Sequence, residues 1–75
     1  MQQYHLTLKA HQRPETLERI LRVVRHRGFE LCTLNAEIQQ KELVLSLVVQ
    51  SSRELSLLVT QLEKLIDIVE VDYNQ

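Results

Sequence analysis

RPETLERILRVVRHRGF, residues 13–29, carries a helix start, one apolar face and a stop, and the rest of the chain is read outward from it. Pro14 suits the first helical turn, where a missing N–H is no loss. Glu15 and Glu18 place negative charge at the positive end of the helix dipole. Leu17, Ile20, Leu21 and Val24 fall on one stripe at about 100° per residue, and Glu18, Arg19, Arg22, Arg25 and His26 share the opposite face. Arg25, His26 and Arg27 gather at the negative end of the dipole. Gly28, the only glycine, can take the left-handed conformation that ends a helix, with Phe29 folding back towards Val24.

Before this helix, Tyr4, Leu6, Leu8 and Ala10 alternate with His5, Thr7 and Lys9, the period of a half-buried strand. His11 to Arg13 connect the two. After Gly28, LCTLNAEIQ alternates again, with Cys32, Leu34, Ala36 and Ile38 in the inward phase. The polar run Gln39–Glu42 predicts a hairpin turn, without an Asn-Gly pair to fix its type. Leu43, Leu45, Leu47 and Val49, with Val44 and Val48 between them, suit a central strand. Ser51 followed by Glu54 has the spacing of a capping box. It predicts a second helix with Leu55, Leu58, Val59, Leu62 and Ile66 in one stripe and Leu57 opposite. Ile68 to Tyr73 predict a last strand, with Val69, Val71 and Tyr73 in phase.

The order β-α-β-β-α-β predicts an α+β, ferredoxin-like fold: a four-stranded antiparallel sheet with two helices on one face and the first and third strands in the centre. The helices would cover Leu6, Leu8, Leu45, Leu47 and Val71. His5, Thr7, Lys9, Ser46, Glu70 and Asp72 would lie on the other face.

A chain of 75 residues, read as a single domain over 1–75, buries little apolar surface. Cys32 is the only cysteine, so an internal disulfide is excluded and association with another chain is the remaining source of stability. The second strand, Cys32 to Ile38, is the expected homodimer edge, with Cys32, Thr33, Leu34, Asn35 and Ala36 as candidate contacts. A net charge of −1 gives no case for nucleic acid or an anionic membrane. With no long apolar span, and with Met1 leading directly into a strand pattern, a soluble cytoplasmic domain is expected.

No catalytic constellation emerges. An RNA-binding sheet needs exposed aromatics on its central strands, and only Tyr4 is there, in the inward phase. His5, His11 and His26 share no local spacing for a metal. Arg13 and Asn35 would suit a phosphate-cleaving enzyme of this fold, but the glycines that wrap a phosphate are missing and Pro14 removes a donor. Cys32 reads as a small buried hydrophobe. The run Arg22, Arg25, His26, Arg27 reads as a solvated face with Glu15–Arg19 and Glu18–Arg22 pairs, ahead of a docking patch for an acidic partner.

Pro14 to Arg19, Leu21 to Phe29 and Cys32, with a weaker echo in Gln61, Leu62, Lys64, Leu65, Asp67 and Val69, resemble the ACT domains. Among these they are most similar to the small regulatory subunits of acetolactate (acetohydroxyacid) synthase of the isozyme II type. The resemblance implies a non-catalytic subunit that activates a large catalytic subunit in branched-chain amino-acid biosynthesis, for valine, leucine and isoleucine. Thiamin diphosphate, magnesium and FAD would belong to that large subunit, with no cofactor or metal in this chain. The resemblance also points to Arg13, Pro14, Glu15 and Thr16 as the counterpart of a loop where an amino-acid effector binds. In the family that loop often carries glycine. Here Glu15 stands where an effector carboxylate would lie, which implies insensitivity to valine. The alternative is an amino-acid-sensing module of another complex. A stand-alone dimer with a role towards RNA or phosphate is a third.

Overall fold

The computed structural model describes residues 1–74. The elements are β1 (Gln2–His11), α1 (Thr16–His26), β2 (Glu30–Gln39), β3 (Glu42–Ser51), α2 (Leu55–Glu63) and β4 (Ile68–Asn74). They form a four-stranded sheet in the order β2-β3-β1-β4, every neighbouring pair antiparallel. The expected fold and the central position of β1 and β3 are what the structure has. Tyr4, Leu6, Leu8 and Ala10 of β1 and Leu45, Leu47 and Val49 of β3 are buried under Ile20 and Val24 of α1 and Leu55, Leu58, Val59 and Leu62 of α2.

α1 starts two residues later than the sequence suggests. Glu15 takes the cap position, accepting from the Arg19 N–H at 3.0 Å, and Pro14 sits in the preceding turn, closed by the Thr16 N–H on Arg13 O at 3.2 Å. The buried line is Thr16, Ile20 and Val24, with Leu17 and Leu21 half-buried at its margin. The helix ends as expected. The Phe29 N–H bonds Val24 O and the Gly28 N–H bonds Arg25 O, both at 3.1 Å, while Gly28 lies at φ +82°. This reciprocal pair with its buried Val24–Phe29 contact is the Schellman arrangement.

Four local expectations are corrected. Ser51 is no helix cap: it is the last residue of β3, and its hydroxyl donates to Gly28 O at 2.9 Å and accepts the Arg53 N–H at 3.0 Å. Glu54 occupies the cap position without a side-chain bond. Ile66 lies beyond the end of α2 and is exposed, because the helix stops at Glu63. Cys32 is exposed rather than buried. Leu31 pairs Val49 and Thr33 pairs Val48, so Cys32 is the extra residue of a bulge and the inward phase runs Leu31, then Leu34, Ala36 and Ile38. Val69 is likewise skipped between Ile68, which pairs Ala10, and Glu70, which pairs Lys9. Ile68 therefore takes the inward position expected of Val69.

The β2–β3 hairpin closes through Gln40 and Lys41, at φ 50° and 69°. Two central residues at positive φ make a type I′ turn, built here without asparagine or glycine.

Candidate functional site

The loop between β1 and α1 is fastened from below by Asp67, in the turn between α2 and β4. The Asp67 side chain is only 4% exposed. Its main chain first sets the position, since Asp67 O accepts the His11 N–H at 2.8 Å. Its carboxylate then meets two cations. Arg19 Nη1 donates to Oδ2 at 3.1 Å, and Arg13 Nε stands 3.1 Å from Oδ1. The Arg13 approach pairs charge without hydrogen-bond geometry, leaving buried Oδ1 with no hydrogen-bond partner among the described residues. Thr16, itself buried, directs its hydroxyl to His11 O at 3.1 Å and to Asp67 Oδ2 at 3.4 Å. Glu15 Oε1 lies 3.6 Å from Arg19 Nη2. A carboxylate out of water is tolerable only beside such partners.

Three of the four loop candidates, Arg13, Glu15 and Thr16, thus converge on one charge cluster, while Pro14 is exposed and forms the turn. Sequence reasoning passed over Arg19 as a surface cation and Asp67 as a minor echo. Asp67 lies 48 positions from Arg19 and 51 from Thr16. No local spacing reports such a contact. Chemically the cluster is two guanidinium groups and a hydroxyl gathered on a carboxylate.

The second candidate is the β2 edge. All ten of its residues are exposed, including Cys32, Thr33, Leu34, Asn35 and Ala36. One side of β2 pairs with β3, and the other is the edge of the sheet. Its helix-side phase is nevertheless apolar, with Leu31, Leu34 and Ile38 exposed. A groove of about 680 Å³ between α1 and the start of β2 continues this strip, with Leu21, Val24, Phe29 and Leu31 in its lining beside Arg22 and Arg25.

Elsewhere the polar groups are ordinary. Arg27 Nη2 donates to Gln61 Oε1 at 3.1 Å, and the expected Glu15–Arg19 pair forms. His5 Nε2 lies 2.9 Å from Ser46 Oγ on the sheet face away from the helices. Among the described residues no three His, Cys, Asp or Glu side chains gather as a metal site, and no helix is long and apolar enough to cross a membrane.

Comparison with known proteins agrees with this architecture. Residues 12–71 match the family model described as ACT domain. The chain is 45% identical over 73 residues to the acetolactate synthase isozyme 2 small subunit of Escherichia coli strain K12, spanning 95% of this chain and 84% of that one. The protein of the same name from Shigella flexneri matches equally. Among solved structures, an acetolactate synthase small subunit from Thermotoga maritima superposes with a TM-score of 0.86 at 16% identity, covering 97% of this chain and 47% of that chain. The ACT domain of a GTP pyrophosphokinase from Chlorobium tepidum gives 0.83 at 12% identity, over 96% of both chains. At such identities the two structures speak for the fold alone.

Proposed function

The chain belongs to the ACT-domain family and within it to the acetolactate synthase isozyme 2 small subunits, and from this we propose that it is a non-catalytic subunit that binds and activates a large catalytic subunit. The observation that carries the reading is the 45% identity extending over 95% of the chain. Thiamin diphosphate, magnesium and FAD are assigned to the large subunit, as the family resemblance implies. The apolar phase of β2 and the groove beside it support a homodimer formed edge to edge, with Cys32, Thr33, Leu34, Asn35 and Ala36 as its candidate contacts.

Insensitivity to valine is part of the same proposal. An effector carboxylate at the start of α1 would need free N–H donors and uncompensated positive charge. Pro14 has no N–H, the Thr16 N–H already bonds Arg13 O, and Glu15 adds a negative charge. A carboxylate gains about 0.3–1 kcal/mol from a helix N-terminus, and the Glu15 charge opposes a term of that size.

The test is reconstitution of the large subunit with and without this chain. Activity is expected to rise with the chain and to stay flat on adding valine up to millimolar levels. Glu15→Gly is expected to bring back at most weak valine binding by calorimetry, because Pro14 still removes a donor and the Asp67 carboxylate still pairs with Arg13 and Arg19. No change in synthase activity on adding the parent chain would reject the subunit reading, and submillimolar valine binding by the parent would reject the insensitivity.

A further inference from the structure

Two guanidinium groups and a hydroxyl arranged around one carboxylate are what a protein uses to hold a free small acid. In this chain Arg13, Arg19 and Thr16 surround a carboxylate that the chain itself supplies, from the far end of the sequence. Asp67 is almost fully buried, whereas Arg13 and Arg19 are 61% and 46% exposed. The cations therefore reach from solvent onto a sequestered anion rather than being buried with it. Oδ1 has no hydrogen bond, so packing against α1 and the His11–Asp67 main-chain bond, rather than ideal bonding at both oxygens, holds the carboxylate in place.

We propose that Asp67 is a built-in ligand: its carboxylate fills a site for a small monocarboxylate, the class that includes the α-amino acids, and holds the β1–α1 loop in an acid-bound arrangement without any effector. The inference rests on reading residues 13–16 as the counterpart of an effector loop. It adds a separate reason for insensitivity, at a residue 52 positions beyond Glu15 in a different turn. Glu15 repels an incoming acid; Asp67 already occupies its place.

Chemical rescue tests this on the full chain. Asp67→Ala removes the carboxylate and leaves both arginines. Its melting temperature is expected to fall, and formate or acetate is expected to restore at least half of the loss, measured against chloride at equal ionic strength. For a dissociation constant on the order of 10 mM, about 100 mM formate shifts the folding equilibrium about tenfold. The parent should not respond, and Arg19→Gln combined with Asp67→Ala should abolish the rescue. If Asp67→Ala is unfolded in chloride, formate is expected to restore its far-ultraviolet circular dichroism. Equal behaviour in formate and chloride, whether folded or unfolded, overturns the proposal. Activation of the large subunit by the parent chain is measured separately. Failed rescue beside intact activation rejects the built-in ligand alone, and intact rescue without activation rejects the subunit reading alone.

Discussion

Gly28 is where one residue decides an element. At φ +82° a side chain is strained, and a Cβ built there would meet Arg53 Nε at 2.6 Å. The arginine tip can swing aside; the backbone angle cannot be relieved. Gly28→Ala is therefore expected to cost about 1–2 kcal/mol, and Gly28→Val more, because a β-branched side chain tolerates that region worst. Urea denaturation of both variants, each with and without Arg53→Ala, separates the two causes: removing Arg53 should recover only a minor part. Thr16 is the second such residue. Thr16→Val keeps the shape and deletes the hydroxyl that bonds His11 O and Asp67. The expected loss is about 1–2 kcal/mol, with Thr16→Ser close to the parent in the same measurement. The two residues differ in how plainly the sequence announces them. A lone glycine after a basic helix end states its role locally, whereas Thr16 and Asp67 act through contacts made only when the last turn folds against the first.

Strand and helix periods were legible wherever one face is buried, as in β1, where Tyr4, Leu6, Leu8 and Ala10 are all core. They misled where the chain departs from a period by one residue. The bulges at Cys32 and Val69 shift the phase of both edge strands, and nothing in LCTLN or DIVEV marks an extra residue. The Ser51–Glu54 pattern failed for another reason: Ser51 still belongs to β3, and its hydroxyl joins the turn after α1 to the turn before α2. The hairpin offers a clean test at this scale. Gln40 and Lys41 each hold a positive φ without the residue types that favour it. Replacing the pair by Asn-Gly is expected to raise stability by about 1 kcal/mol, read as a higher denaturation midpoint with an unchanged slope.

At the scale of the molecule the sheet has two unlike edges. β2 presents Leu31, Leu34 and Ile38 beside an apolar groove, while β4 presents Val69 and Tyr73. Lysine on a strand edge blocks edge pairing. Leu34→Lys is expected to convert the proposed homodimer to a monomer by light scattering, with circular dichroism unchanged, and Val69→Lys is expected to leave that dimer intact. The reverse result would move the interface to β4. The strand order β2-β3-β1-β4 also has a consequence in time. β1 is made first, yet both its neighbours are made later: β3 is complete only at Ser51 and β4 begins at Ile68. At about 5–20 residues per second, β1 waits roughly 2–8 s after His11 for the strand that covers it. Throughout that interval Leu6 and Leu8 have no sheet to join. A product ending in the β2–β3 turn would hold a β1 with neither of its sheet neighbours, its Leu6 and Leu8 left to the apolar face of α1 alone.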